Sequence, residues 1–193
     1  MQAKAHIFWY TGLSGTGKTT LATEAKKYLE SFGLNVLLVD GDVVRSKYDT
    51  DLGFHREAIK KNNLNIVEIC QNNRNDYDTI LVPVITPIDK VRKEIKRILA
   101  PNFSLVYLSS DIQSLKIRDV KGLYAKADRG ELSDLIGYSE SNPFDEPEDA
   151  DLIINTGSMS DLCDSVKKIN GFVKKTIVLN RGCSLTEIEK NRY

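Results

Sequence analysis

A glycine-rich segment near the amino terminus has the residue types and spacing of a phosphate-binding loop. It matches G-x-x-x-x-G-K-[ST] in full, with Lys18 and Thr19 at its last two positions. Glycines permit backbone angles that turn successive N–H groups inward, and such a nest at a helix amino terminus binds anions. The lysine of such a loop reaches the β- and γ-phosphates, and the hydroxyl ligates Mg²⁺. The candidate nucleotide-binding positions are Gly12, Leu13, Ser14, Gly15, Thr16, Gly17, Lys18, Thr19 and Thr20.

Two carboxylates flank a glycine in Asp40-Gly41-Asp42, directly after an apolar run of strand length. Ligands of an open parallel sheet bind at the edge where the strands end. Two carboxylates at that edge could orient Mg²⁺ through water and accept a proton from an incoming hydroxyl. A plain turn is the alternative, because Asp-Gly pairs are common in turns. No Asp closes the third predicted strand, where many phosphate-loop enzymes carry a metal-binding acid, so we expect this pair to supply most of the acidic chemistry.

Short apolar runs alternate with helical patterns along the chain. The runs predict strands at 6–11, 35–40, 79–85, 104–109 and 151–155, and the patterns predict helices at 18–31, 56–73, 87–99, 112–120 and 160–172. Strands that alternate with helices indicate a parallel sheet covered on both faces. We therefore predict an α/β fold of the P-loop NTPase type, with three layers, a five-stranded parallel sheet and a lid segment.

The lid is predicted at residues 121–148, which interrupt this alternation. A glycine- and proline-rich region of this length within a compact domain is typical of a functional lid. The predicted kinase-like domain covers residues 1–172, and residues 173–193 form a carboxyl-terminal extension with a candidate capping box at 184–187.

The composition excludes several classes of protein. The 193 residues carry 27 Lys and Arg against 27 Asp and Glu, and an obligate nucleic-acid binder would show a basic excess. No run approaches the roughly 18 apolar residues that span a bilayer, and no leader pattern opens the sequence, so we expect a cytoplasmic protein. With 2 histidines and 3 widely spaced cysteines, a histidine-centred triad, a zinc site or a disulfide framework is not indicated.

Five segments together resemble the successive motifs of the adenylyl-sulfate (APS) kinase family, in order and spacing, over residues 7–156. They are GLSGTGKTTLA, VDGDVVR, DLGFHRE, IRDVKGLYAKADRGEL and NPFDEPEDADLIINT. The resemblance implies transfer of the γ-phosphoryl group of MgATP to the 3′-hydroxyl of adenosine 5′-phosphosulfate. It also implies a homodimer with a small nucleotide as its partner. The charge balance and the lack of a long apolar run favour neither a nucleic-acid polymer nor a membrane as a partner.

The resemblance further implies roles for single residues. Asp42 would be the carboxylate nearest the acceptor hydroxyl, Asp40 would be its partner on the Mg²⁺ side with Thr19, and Lys18 would complete the catalytic set. Arg118 would lie against the adenine of ATP, and Lys121 would belong to the lid over the phosphates.

The candidate acceptor-binding residues are Asp42, Arg45, Phe54, Arg56, Asn62 and Leu135. Phe54 would stack on the acceptor base, since every base offers a π-face, but a core anchor is the alternative for this side chain. Solvated surface charges are the alternative for the arginines.

The acceptor side departs from the family pattern at several positions. Ile59 stands where the family usually has Arg, Leu135 replaces a lid Phe, Ser133 roughly replaces a lid Lys, and Ile88 replaces a Tyr. Each lost contact weakens the grip on an anionic purine nucleotide by about 1 to 3 kcal/mol. An altered acceptor, such as cytidine diphosphoramidate in capsule decoration, is therefore an alternative to APS.

Other classes of protein fit less of the sequence. A non-catalytic, regulatory ATP-binding protein would bind ATP tightly and transfer nothing. A GTPase-like switch would need an N/T-K-x-D motif, which this sequence lacks. A dinucleotide-binding oxidoreductase would need G-x-G-x-x-G and would have no use for Lys18.

Overall fold

The core of the molecule is a parallel sheet of five strands in the order β2-β3-β1-β4-β5. The computed structural model describes residues 4–48 and 55–181. The strands are β1 (His6–Thr11), β2 (Val36–Leu38), β3 (Thr79–Pro83), β4 (Phe103–Ser109) and β5 (Leu152–Asn155). The predicted α/β class and the five-stranded parallel sheet are confirmed.

Seven helices accompany these strands in the described ranges. They are α1 (Lys18–Glu30), α2 (Gly41–Tyr48), α3 (Arg56–Asn73), α4 (Asp89–Leu99), α5 (Ile112–Arg118), α6 (Leu123–Asp128) and α7 (Leu162–Arg181). Across residues 4–48 and 55–181, every helix is too short or too polar to span a bilayer.

Helices cover both faces of the sheet, because successive residues of a strand point to opposite faces. In the fully buried β1, Trp9 packs in a cluster with Ile66 of α3 and Ile95 of α4. Phe8 packs in the second cluster with Ile169 of α7 and the apolar side of α1. The sheet is thus the middle layer of three, and its carboxyl-terminal edge carries the phosphate loop after β1.

Two helices were missed in the sequence. Asp40-Gly41 is a helix start rather than a plain turn, because the Asp40 carboxylate accepts from the backbone N–H of Asp42 at 2.9 Å and of Val43 at 3.4 Å. Helix α6 lies in the predicted lid. Its first turn is capped by Asp119, whose carboxylate accepts from two backbone N–H groups at 3.2 and 2.9 Å. Both caps are side-chain contacts that a hydropathy pattern does not contain.

Several predicted boundaries were wrong by a few residues. Helix α4 begins at Asp89 rather than Pro87, because Ile88 is extended with φ −99° and ψ 117°. Helix α5 ends at Arg118 rather than residue 120, because Asp119 has φ 20° and ψ 48° and leaves the helical conformation. Asp111 caps the start of α5, since its side chain accepts from Ser114 N–H at 2.8 Å.

Helix α7 does not end at residue 172 as predicted but continues to Arg181. Val173 and Ile177 are buried and continue the spacing of Ile169 against the sheet, so apolar packing prolongs the helix. Near its end, Asn180 Nδ2 lies 2.6 Å from His6 Nδ1 of β1. The predicted boundary between domain and extension therefore falls inside a helix that packs on the sheet. The candidate capping box at 184–187 lies outside the described residues.

Candidate active site

The phosphate loop joins β1 to α1 and has the backbone that its glycines predict. Gly12, Gly15 and Gly17 have φ of 147°, 80° and 85°. Gly12 is also required by close packing, because a Cβ there would lie 2.4 Å from the Leu108 carbonyl oxygen of β4. Only a residue without a side chain fits this approach and these angles. The cradle at the start of α1 thus has the form that binds phosphate through backbone N–H groups.

Lys18, the first residue of α1, lies across the loop. Its ammonium group donates to the carbonyl oxygens of Gly12 at 2.9 Å and Leu13 at 2.8 Å. Burial, assisted by the neighbouring positive charge of Lys121, lowers the pKa of Lys18 to about 8, although Asp42 and Asp40 oppose the shift. These four charged side chains therefore influence one another at one place, the carboxyl-terminal edge of the sheet.

Thr19 and Asp40, which were predicted as the metal-side pair, lie together. The Thr19 hydroxyl donates to Asp40 Oδ2 at 2.8 Å, while Oδ1 of the same carboxylate caps α2. Hydroxyl and carboxylate oxygens are hard ligands, and Mg²⁺ in phosphate-transfer sites takes one or two protein oxygens and fills its other positions with water and phosphate. The described residues contain no cluster of three or more His, Cys, Asp or Glu that could hold a metal alone. The Thr19–Asp40 pair therefore fits Mg²⁺ held jointly with a nucleotide.

Asp42 forms an exposed ion pair with Lys121, whose ammonium group donates to Asp42 Oδ2. The two residues lie on different elements: Asp42 is in the first turn of α2, and Lys121 follows α5 at the start of the lid. The contact thus joins the carboxylate that was predicted to lie nearest the acceptor hydroxyl to the lysine that was predicted to belong to the lid.

Two further residues, Arg118 and Thr20, are predicted to contact ATP. Arg118, the last residue of α5, is exposed and donates to Ser110 Oγ at 3.0 Å and to the Ser114 carbonyl at 3.3 Å. Thr20 is exposed in the first turn of α1. Their contacts with adenine and phosphate stay predictions.

Among the residues predicted on the acceptor side, Asn62 of α3 has a buried side-chain oxygen that could accept a hydrogen bond from a ligand. This side chain is buried and donates from Nδ2 to the Gly41 carbonyl at 3.3 Å, while its buried Oδ1 has no hydrogen-bond partner among the described residues. A buried amide oxygen without a donor is costly, and a ligand group could supply the hydrogen bond.

The other predicted acceptor residues are more dispersed. Arg45 is half-buried on α2, where burial lowers its pKa and Asp42 opposes the shift. Arg56, at the start of α3, donates to the Pro143 carbonyl at 3.4 Å. Phe54, the predicted stacking residue, lies outside the described residues.

Of the four substituted acceptor-side positions, Ile59 and Leu135 are buried, Ile88 is partly buried and Ser133 is exposed. Ile59 is 1% exposed within the protein interior, and Leu135 is 7% exposed in a small lid cluster with Leu115 and Tyr124. Leu135 therefore packs against the lid itself, and its predicted contact with the acceptor base stays a prediction.

The contacts that hold the lid against α4 and β4 were not predicted from the sequence. The backbone N–H of Asp145 donates to the Pro87 carbonyl at 2.8 Å, and its carboxylate accepts from the Asp89 N–H of α4 at 3.0 Å. Phe144 stacks on Tyr107 of β4 with ring centroids 6.1 Å apart. The signal lay in the segment NPFDEPEDADLIINT, whose residues carry these contacts.

A cleft of about 510 Å³ opens between the lid and the sheet edge. Leu13 of the phosphate loop, Tyr107 of β4 and Phe144 of the lid all line it. The lid segment thus covers a cleft beside the phosphate loop.

The site has the groups that phosphoryl transfer requires. They are a glycine-rich phosphate loop with its lysine, a hydroxyl–carboxylate pair, and a second carboxylate paired with a lid lysine. On the parallel sheet described above, they define a P-loop kinase. The sequence profile described as adenylylsulphate kinase matches residues 4–155 of this chain. The chain belongs to the adenylylsulphate kinase family, which confirms the resemblance seen in the sequence motifs.

Relatives and solved structures agree with this assignment. The adenylyl-sulfate kinase of Paraburkholderia xenovorans is 35% identical over 157 residues, which cover 81% of this chain and 87% of that protein. The adenylyl-sulfate kinase of Halothermothrix orenii is 39% identical over 157 residues, covering 79% and 81%. The structure of Mycobacterium tuberculosis APS kinase in complex with AMPPNP and APS matches with a TM-score of 0.79 at 25% identity, and the match covers 89% of this chain and 99% of that one.

Proposed function

We propose that this kinase transfers the γ-phosphoryl group of ATP to the 3′-hydroxyl of adenylyl sulfate. The observation that carries the proposal is the convergence of Lys18, the Thr19–Asp40 pair and the Asp42–Lys121 pair at one sheet edge, in a chain of this family. The proposed site comprises those five residues together with the loop positions, Thr20 and Arg118 toward ATP. Toward the acceptor it comprises Arg45, Phe54, Arg56, Asn62 and Leu135.

The chain would bind and orient the phosphates with its backbone and with Lys18. Phosphoryl transfer needs alignment and charge neutralisation more than covalent chemistry. Lys18 would exchange the carbonyls of Gly12 and Leu13 for phosphate oxygens, so its charge moves to where the transition state carries negative charge. Bound Mg²⁺, on Thr19 and Asp40, would neutralise charge on the β- and γ-phosphates.

Asp42 would align the acceptor hydroxyl and accept its proton. Its carboxylate is within hydrogen-bond reach of Lys121, so the lid lysine would hold it in place until the acceptor hydroxyl arrives. The lid, residues 121–148, would exclude water from the γ-phosphoryl group and so suppress ATP hydrolysis.

The test is a panel of acceptors offered to the purified protein with MgATP. Adenylyl sulfate, cytidine diphosphoramidate and ordinary nucleoside monophosphates are compared by ADP formation, with ATP alone as the blank. We expect adenylyl sulfate to give the highest kcat/KM. Turnover of cytidine diphosphoramidate without turnover of adenylyl sulfate would show that the acceptor is not adenylyl sulfate. Tight ATP binding without transfer to any nucleotide would show that the protein is a regulatory ATP-binding protein and not a kinase.

Two accompanying predictions concern the state of the protein. The homodimer implied by the family resemblance is tested by light scattering, where a mass near that of one chain would contradict it. The cytoplasmic location is tested by fractionation of the source cells.

A further inference from the structure

Tyr124 in helix α6 of the lid has its hydroxyl against the phosphate loop. This side chain is 2% exposed, and its Oη donates to the Ser14 carbonyl oxygen at 3.0 Å. Ser14 and Tyr124 are 110 positions apart in the chain, so the contact joins the lid directly to the loop. The proposed mechanism gives this residue no task.

The three consecutive carbonyls of Gly12, Leu13 and Ser14 all accept hydrogen bonds, but from different sources. Lys18 donates to those of Gly12 and Leu13, and Thr16 donates from its hydroxyl to that of Leu13 at 3.0 Å. Those donors belong to the loop and its helix. The Ser14 carbonyl accepts from the lid instead.

The direction of the Ser14 carbonyl determines the direction of the next N–H group. The peptide unit is planar and trans, so the C=O of Ser14 and the N–H of Gly15 point in opposite directions. Gly15 has φ 80°, a conformation that glycine adopts without cost, so side-chain sterics do little to fix this peptide. A donor that holds the Ser14 carbonyl on the lid side therefore aims the Gly15 N–H away from the lid cluster.

The hydroxyl of Tyr124 is held firmly enough to act in this way. The Tyr124 backbone N–H donates to the capping carboxylate of Asp119 at 3.2 Å, and its ring meets the Tyr138 ring edge to face at 5.6 Å. Leu115 and Leu135 complete the lid cluster around the ring. Burial raises the pKa of Tyr124 to about 12, so the hydroxyl remains a donor at neutral pH.

We propose that Tyr124 is a positioning residue for phosphoryl transfer, which sets the phosphate loop for ATP by holding the Ser14–Gly15 peptide. The orientation of one loop N–H then depends on the lid being in place. The loop and the lid form one unit, so ATP affinity depends on a residue outside the glycine-rich motif. This inference rests on the proposed kinase function.

The test compares Tyr124→Phe with the matched variant Tyr138→Phe. Each substitution removes one hydroxyl from the same pair of rings. The Tyr138 hydroxyl instead accepts from Lys116 and donates to Asp128, neither of which belongs to the loop. Affinity for a non-hydrolysable ATP analogue is measured by calorimetry, and kcat and both KM values are measured with adenylyl sulfate.

We expect Tyr124→Phe to weaken binding of the analogue about 3- to 10-fold, the effect of losing one buried hydrogen bond. The KM for ATP should rise by the same factor while the KM for adenylyl sulfate stays unchanged. Tyr138→Phe should leave both values at those of the wild type. Thermal unfolding without nucleotide checks that both variants fold.

Wild-type analogue affinity in Tyr124→Phe, or an equal loss in Tyr138→Phe, would overturn the proposal. The calorimetric comparison needs no acceptor. It therefore still tests Tyr124 if the wild-type protein transfers phosphate to none of the nucleotides offered, an outcome that would refute the proposed function instead.

Discussion

The proposed site has a donor half, toward the phosphates, and an acceptor half, and the two differ in how firmly their side chains are held. In the donor half, Lys18 makes two hydrogen bonds and the Thr19–Asp40 pair is tied to the start of α2. In the acceptor half, Asp42 is exposed and makes an exposed ion pair with Lys121, and Arg56 makes one long contact of 3.4 Å among the described residues.

The departures from the family pattern follow the same division. All of the phosphate-loop positions match, whereas Ile59 and Leu135 replace polar or aromatic family residues and are buried. Backbone cradles tolerate little variation because glycine angles and a close approach to β4 leave no room for a side chain. The acceptor residues that the family resemblance implies are single side chains, so each could change without disturbing the sheet edge. The comparison predicts large, acceptor-independent losses on one side and smaller, acceptor-dependent changes on the other.

The largest effect is expected from Lys18→Ala. Removing a charge that stabilises the transferring phosphoryl group should lower kcat about 10³-fold, with the same loss for every acceptor. The measurement is steady-state ADP formation, together with circular dichroism to verify folding. Lys27→Ala, which removes an exposed lysine paired with Glu24 on the same helix, is the control and should retain full activity. Near-normal turnover by the Lys18→Ala variant would show that the donor half does not contribute more to catalysis than the acceptor half.

Restoring the family cation by Ile59→Arg should damage the protein rather than improve it. Ile59 is 1% exposed, so a guanidinium at this position would be buried without a partner and should cost about 3 kcal/mol in the free energy of unfolding. Urea denaturation measures this loss, and Ile59→Met is the matched control with similar volume. A stable Ile59→Arg protein with a lower KM for adenylyl sulfate would show that this position opens toward the acceptor.

Asp42→Asn should lower kcat about 10²-fold, the contribution of one general base. The affinity for a non-hydrolysable ATP analogue should remain within about 2-fold of wild type, because the proposed role of Asp42 is toward the acceptor hydroxyl. Asp164→Asn removes an exposed carboxylate on α7 and serves as the control. A comparable loss of ATP affinity would place Asp42 in the donor half.

The pH dependence should also separate the two halves. Lys18 has a pKa lowered to about 8, so it is charged below that pH and becomes neutral above it. The kcat/KM for ATP should therefore fall above pH 8 and lose about 10-fold per pH unit, while kcat stays flatter because bound phosphates favour the charged lysine. A kcat/KM for ATP that is unchanged from pH 7 to pH 9.5 would contradict the lowered pKa.

The smallest effect is expected from Arg56→Ala. Its partly exposed position and the long hydrogen bond to Pro143, the contact it makes among the described residues, predict about a 3-fold rise in the KM for the acceptor, with the KM for ATP unchanged. Arg97→Ala, an exposed arginine on α4, is the matched control. A loss larger than that of Lys18→Ala would reverse the order of the two halves.

Features that depend on neighbouring residues could be predicted from the sequence. The phosphate loop and the strand–helix alternation were both predicted and found, because their geometry is carried by a few consecutive residues. The starts of α2 and α4 were not, since each depends on a cap or an extended residue that a hydropathy pattern does not distinguish from a turn. Residues 173–181 also looked like an extension, although Val173 and Ile177 pack against the sheet.

By itself the sequence determined the fold class, the phosphate loop, the carboxylate pair and the family. The tertiary structure decided which distant residues meet: Lys121 with Asp42 across 79 positions, Tyr124 with Ser14 across 110, and Asn180 with His6 across 174. Local preferences act over a few residues, whereas such pairs form only when the strand order and the packing of the lid bring remote segments together. For that reason the chemistry of the loop can be predicted from the sequence, whereas the contact between that loop and the lid is seen only in the folded chain.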